Sequence, residues 1–568
     1  MLICVVLSST IAAEDRTKNY AATDSLAIAE LTVEEMQFYQ GEFFPLSFME
    51  RGRQSATAWR GMPPGFIDYE FENVPLVNPL WGFWDNQLLP VEIIRHRNLD
   101  PSRLKYRLLP VPVHPSSKPV SRVAYSQDFQ FGLSYLDVNL VEFYRPKSYF
   151  RLGGNNFLRT GSAQDYSQIQ VNTYRGQVHH TFSGHWNVDL WYWQLRHRFR
   201  IGKIPIVDIT RLVHRIGQVG WMNLNFTPDS SRQFTLTPYS YKWGDRYRTK
   251  SYSEQRKTEM YSAGVKFNYR KTYPSASFSF QSNIVRHQIS EALLMERSGQ
   301  WDGEVYFSIQ RKWENFRLNF SNGYRSIEDL GATLFVNLRF GWQATKDFGA
   351  ELKLGVEPQA VPLAPLFWKG DSISGLHNPE LPMRRGFTGT ITLGLFAGTE
   401  LQIQSYFQQF TNAWSFSPDS TLFLQHNYQN AGLSTVFRSQ FWRFVFENQL
   451  TYNSNYQDVF APQINNIARL KLHIELFKRA LKVDGFAIYH YIGKWRQVEY
   501  DPLVNQYMPG KNESGGFHLL DFKILAHIKS ATLFFVWENT LSENYALIDG
   551  YWDFFQVFRF GIYWTLFD

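Results

Sequence analysis

Histidines, serines and carboxylates are the side chains of this chain that could do chemistry, and their spacing assembles no reaction centre. His179 and His180 form the only adjacent histidine pair. On a strand, neighbouring side chains point to opposite faces, so one metal ion would not take both. His197, His214 and His287 read as solvated strand ends or loop residues. Ser277, Ser279 and His527 fall in strand-like stretches and are the raw material of a barrel hydrolase, but nothing in their spacing brings them together. The chain has no HExxH, no GxSxG and no glycine-rich phosphate loop carrying a lysine. The expectation is no catalytic residue, no metal and no cofactor.

The cations are more informative. Lys and Arg number 58 against 51 Asp and Glu, a formal charge of +7. A nucleic-acid domain would gather them on one patch. Here Arg317, Arg339, Arg443, Arg469, Lys471, Lys523 and Arg559 are scattered, and each lies among alternating apolar residues. That pattern predicts a basic, water-filled interior. Glu351, Glu447, Glu475 and Asp521 share the face and cancel part of the field. An excess of basic groups in a pore favours anions; pairing across the wall or with a plug is the alternative.

The elements carrying these charges are two-faced strands. In the last, Phe558, Phe560, Ile562, Trp564 and Leu566 fall on one side, and Arg559, Gly561, Tyr563 and Thr565 on the other. Ala332 to Trp342, Ala468 to Leu476 and Leu520 to Ile528 alternate in the same way. Aromatics make up 17% of the 568 residues, while mean hydropathy lies below zero. No interior run approaches the roughly 18 apolar residues of a spanning helix. A membrane barrel hides its hydrophobicity from such averages, because every second residue faces the lumen. A soluble propeller or sandwich is the competing all-β class.

Along the chain, residues 1–13 read as a signal peptide with the lone Cys4, and 14–40 as a flexible lead-in. Residues 41–160 are rich in proline, which suits central strands poorly, and read as a compact N-terminal domain. Residues 161–568 read as a large antiparallel transmembrane barrel of about 16–20 strands. Short links (Lys312 to Asn315, Thr345 to Asp347) alternate with long polar ones at 242–257, 358–385 and 492–515.

The segment 59–90, WRGMPPGFIDYEFENVPLVNPLWGFWDNQLLP, resembles the plug of TonB-dependent outer-membrane receptors. The matching positions are Arg60, Gly61, Asp68, Val74, Pro75, Gly82, Asp85, Leu89 and Pro90. The glycine-rich end of such plugs is replaced by RHRNLDPSRLKYRLLPVPVHPSS. The candidate for a TonB-contacting box is Ile28-Ala29-Glu30-Leu31-Thr32-Val33. Residues 166–193 are similar to the first strands of the Putative porin family of Gram-negative outer membranes, on the Tyr166-Ser167 start, Gly176 and Trp186-Asn187. The final strand resembles the barrel-closing strand of outer-membrane proteins, although Phe567 is out of phase with the lipid face and Asp568 follows. These resemblances imply an integral outer-membrane location and a porin-like channel for small solutes, narrowed by the N-terminal domain. The alternative they leave open is a TonB-dependent receptor-like transporter with a reduced plug. The partners implied are outer-membrane lipid and lipopolysaccharide, the barrel-assembly machinery through the last strand, a small solute and, on the alternative, TonB; nucleic acid is not among them.

Overall fold

The computed structural model describes residues 28–48, 51–100, 103–114, 118–160, 168–201, 211–249, 254–369, 373–396, 398–417, 422–456, 458, 460–553 and 556–566. The signal-peptide reading of 1–13, and Phe567 and Asp568, lie outside them. Among the described residues, 22 strands close an antiparallel barrel. The seam joins Val557–Leu566 to Val120–Asp128, with Ile562 opposite Tyr125.

The period-2 pattern becomes the wall. Leu334, Val336, Phe340 and Trp342 stand exposed on the outside, Leu334 at 72%, while Asn337 between them is buried within. A closed barrel leaves no unpaired strand edge, so every backbone group in the lipid is satisfied. At one rim the links are tight, as at Glu314-Asn315 and Trp442-Arg443; the other rim carries the longest ones, among them those holding the short helix Leu363–Phe367 and the strands Trp495–Asp501 and Gln506–Ser514. Short periplasmic turns and longer external loops account for this asymmetry.

Two boundaries differ from the sequence expectation. The strands Val120–Asp128, Leu133–Arg145 and Ser148–Arg159 belong to the barrel, not to an N-terminal domain ending at 160. The proline-rich run ends at Pro119, Pro146 falls in the turn between two of these strands, and Leu136, Val138 and Leu152 already face outward. The strand number accordingly exceeds 20. Residues 28–40 are not a flexible lead-in either. They hold a short helix, Val33–Phe38, whose Thr32 side chain caps the Glu35 N–H at 3.2 Å, and Ala29, Leu31 and Val33 are buried.

The lumen is filled by residues 28–111. A hairpin pairs Phe43–Ser47 with Ser55–Trp59. A four-stranded sheet follows in the order Val74–Leu76, Asp68–Phe71, Lys105–Pro110, Ile94–Asp100. Its inner face buries Phe71 against Trp191, Trp193 and Trp221 of the wall. The external loops fold down on this plug. Trp495–Asp501, Gln506–Ser514, Tyr545–Ile548 and Tyr551–Asp553 form a second small sheet, and Phe48 of the plug packs on its Tyr500 and Tyr551 rings at 4.9 and 4.7 Å. The supposed loop at 242–257 is mostly strand. Arg232–Arg248 and Glu254–Thr272 are 17 and 19 residues long, and at ~3.4 Å per residue they outreach the bilayer, so their outer ends are free to be polar.

Candidate functional site

The plug-like motif residues converge on the wall. Arg60, fully enclosed, pairs with Glu42 at 2.9 Å, lies over the Trp59 and Tyr406 rings, and donates to Gln404 and Thr388 of the barrel. The Gly61 carbonyl accepts from the Tyr428 hydroxyl and from the Phe460 N–H. The Pro75 carbonyl accepts from the Tyr241 hydroxyl. Gly82 adopts φ +80°, and a Cβ there would stand 2.4 Å from Pro362 of an external loop. Asp85 caps the turn Asn86–Leu88 and meets His197 at 2.7 Å and Arg215 at 3.2 Å. Pro90 precedes the turn Val91–Ile93. His197 is thus no solvated strand end. It is buried on Trp186–Arg200, with its second nitrogen 2.6 Å from the Gly52 carbonyl oxygen.

The basic residues of the polar strand face divide by partner. Lys523 and Arg559, both 0% exposed, meet the plug: Lys523 binds Glu30 at 2.6 Å, and Arg559 binds Glu35 at 3.0 Å and Glu538 of the wall at 3.3 Å. Arg51 of the plug joins the same carboxylates. Arg469 reaches the Tyr39 carbonyl at 3.3 Å. Lys471 pairs with Asp484 and Arg339 with Glu351 along the wall, and Arg317 shares the inward phase of Ser321 and Arg325. Arg443 does not line the lumen. It sits in a two-residue turn beside Trp442, which takes φ 52° and is 70% exposed; the tight turn breaks the period-2 register on which its inward assignment rested.

Sequence reasoning passed over the plug carboxylates that these cations serve. Burial alone would raise the Glu35 carboxyl, yet Arg559, Arg51 and Lys523 outweigh it and hold the group well below the usual range. Burial pushes Glu30 up to about 7, against the pull of Lys523. Glu92 goes further, to about 8, through burial and then the neighbouring Asp137 carboxylate, against the pull of Arg175 and a hydrogen bond from the Tyr135 hydroxyl. The acid run Glu30, Glu34, Glu35 beside a basic lumen was the available signal.

These shifts set a pH dependence. A carboxyl whose pKa is higher when docked than when free binds its proton more tightly in the docked state. Its contribution is therefore present below about 4.5 and is lost as pH rises through about 8. Plug docking should weaken between pH 5.5 and 8.5, and Glu92→Gln should remove its share, on the order of a few kcal/mol. Thermal melts of the two proteins at the two pH values check this; an equal slope in both would exclude Glu92 as a source.

Between the outer face of the plug sheet and the wall lies a cavity of about 120 Å³. Plug loops at Gly65 and Gly82 and residues 360–363 of an external loop enclose it. Asp68 and Glu70 project from the plug, with Lys105 on the adjoining strand; the wall contributes Lys266, Asp302, Glu304 and Arg325. Of these, Lys266 pairs with Glu70 at 2.9 Å and Arg325 with Asp302 at 2.6 Å. A small polar solute could be held here.

The other chemistry-capable residues stay apart. His179 meets Asp189 at 2.7 Å, and His180 meets Tyr144 at 2.9 Å. Ser277 and Ser279 lie on Ala276–Leu293 and His527 on Phe517–Ile528, which are not neighbours in the barrel. Among the described residues no group of three His, Cys, Asp or Glu is placed to hold a metal ion.

Comparison with known proteins gives three results. Residues 399–568 match the model of a family described as "Putative porin". No curated protein matches. Among solved structures, the siderophore receptor PirA from Acinetobacter baumannii superposes with TM-score 0.77 at 9% identity, covering 97% of this chain and 98% of that one. A ferric enterobactin receptor (PfeA) variant from Pseudomonas aeruginosa, in complex with enterobactin, gives 0.76 at 9%, covering 96% and 99%. The FrpB iron transporter from Neisseria meningitidis gives 0.75 at 10%, covering 94% and 96%. Likeness at such identity shows the fold, plug included. With its closed wall and apolar outer belt, the chain is an integral outer-membrane β-barrel.

Proposed function

We propose that this barrel is a gated outer-membrane transporter whose solute crosses only when the plug moves. One observation carries the reading. The plug is bonded to the wall around the whole lumen, at Asp521, Gln449, Gln404, Glu304, Lys266, Asn223, His197 and Arg559, and external loops roof it. A passive porin keeps a standing aqueous channel, whereas 22-stranded outer-membrane transporters carry a plugged lumen. The solved structures with this fold are named as siderophore or ferric enterobactin receptors and an iron transporter, which supports the same class of activity here. The reading requires residues 28–33, now buried or half-buried, to come free for a periplasmic partner of the TonB type.

The match of residues 399–568 to a porin family favours a second reading, an open channel that solutes pass beside a fixed plug. Uptake by cells whose proton-motive force has been collapsed separates the two. Loss of uptake supports the gated transporter; uptake at an unchanged rate supports the channel. On either reading, with Lys523 and Arg559 neutralised by plug carboxylates, the basic lumen alone no longer favours anions.

A further inference from the structure

We propose that the cavity between the plug sheet and the barrel wall binds the zwitterionic head of an amino-acid-like solute, its ammonium against Asp68 and its carboxylate against Lys105. The inference rests on the transport reading and names the solute class for the same site.

The geometry begins with strand register. Asp68 and Lys105 are partners on the parallel strands Asp68–Phe71 and Lys105–Pro110, which lie ~4.8 Å apart. Side chains alternate along each strand, so Asp68 and Glu70 share one face of the sheet, with Lys105 and Arg107 beside them, while Tyr69 and Phe71 turn into the core. Asp68 and Lys105 therefore stand side by side toward the cavity. They nevertheless form no ion pair with each other, and among the described residues Asp68 has no ion-pair partner within 4.0 Å. Lys105 has one carboxylate near it, Glu304 at 3.7 Å, and Glu304 is held more closely by Arg103. Asp68 is thus left without an ion-pair partner, beside a lysine whose one carboxylate contact is long.

The remaining charges argue for a zwitterion over a simple ion. Glu70 is matched by Lys266, and Asp302 by Arg325. A lone organic cation at Asp68 would crowd Lys105, and a lone anion at Lys105 would crowd Asp68. A molecule carrying both charges a few ångströms apart satisfies each. Burial raises the Asp68 carboxyl above its ordinary value, with Lys105 the first of the groups opposing that; an ammonium ligand would add to the opposition. Size agrees. A dry cavity of ~150 Å³ takes benzene, with six heavy atoms, so about 120 Å³ suits a head group of amino-acid size. Val285, Ile327, Val361 and Leu363 supply apolar lining for what the head group carries.

Calorimetric titration of the full-length protein in detergent tests this with four probes of similar size: L-alanine, glycerol, n-propylammonium and propionate. L-Alanine should bind at least tenfold more tightly than the other three. Asp68→Asn and Lys105→Gln should each weaken L-alanine at least tenfold. Asp68→Asn should at the same time raise the affinity for propionate relative to L-alanine, and Lys105→Gln that for n-propylammonium; general structural damage would produce neither switch. Glycerol binding as tightly as L-alanine, no binding of any probe, or L-alanine binding unmoved by both variants overturns the site. L-Alanine binding without any uptake would overturn the transport reading and leave the site standing. Uptake that needs plug movement, without L-alanine binding, would overturn the site alone.

Discussion

Removing residues 28–113 should turn a closed barrel into a wide, steadily conducting pore. All 22 wall strands begin at or after Val120, so this deletion leaves every inter-strand ladder intact. A deletion reaching to 160 would instead remove three wall strands and open the seam. The vacated lumen is lined by side chains that now bind the plug, including Lys523, Arg559, His197 and Arg215. Once wetted, these hold water in a channel as wide as 22 strands allow. Planar-bilayer recordings should show little conductance from the full chain and large, long-lived openings from the deletion. Equal conductance from the two would mean that the plug does not block the pore.

The second large effect belongs to Arg559. Its guanidinium is fully enclosed and bonded to Glu35 of the plug and Glu538 of the wall. Arg559→Ala leaves two buried carboxylates sharing Arg51. Breaking a buried ion pair from one side costs about 3–5 kcal/mol, because the surviving charge stays dehydrated and uncompensated. The plug should become sensitive to protease in intact membranes while the wall stays protected. Both carboxylates are met through one guanidinium nitrogen, Nη2, so Arg559→Lys, which keeps the charge, should lose less. Removing Glu35 as well should recover part of the loss, since the double variant buries one charge fewer. A plug equally resistant in Arg559→Ala would place its anchorage elsewhere.

The wall was legible because lipid imposes a simple rule on it. Phe558 to Leu566 and Ala332 to Trp342 alternate in type, and the structure turns those apolar residues outward. Leu136, Val138 and Leu152 obey the same rule, but they follow a proline-rich stretch whose texture obscures their alternation. Arg443 shows the limit of periodicity: a two-residue turn resets the phase, and nothing in Phe441-Trp442-Arg443-Phe444 announces a left-handed residue.

The plug motif from Arg60 to Pro90 marked the right segment. Its contacts were not readable, since they depend on which distant strand stands opposite. Asp85 and His197 are 112 residues apart, and Glu35 and Arg559 are 524 apart. Glu30 and Glu35 looked like a solvated acidic lead-in because their counter-ions lie at the far end of the chain. Asp68 and Lys105 become neighbours only through the parallel register of the plug sheet. The side-chain types could be seen in advance, but the pairings required the fold.

A reversible tether between plug and wall tests the central claim most directly. A Cβ built on Gly41 of the plug lies 3.3 Å from the Gln449 Cβ of the wall, close to the ~3.5–4.5 Å span of a disulfide. Gly41→Cys with Gln449→Cys, in a chain whose lone cysteine is Cys4, should form a bond that fixes the plug in place. Uptake of the transported solute should stop when this pair is oxidised and return on reduction, while uptake by either single variant should be insensitive to oxidant and reductant. Uptake that continues at its full rate with the bond formed would show that solute passes a stationary plug, and would contradict the account.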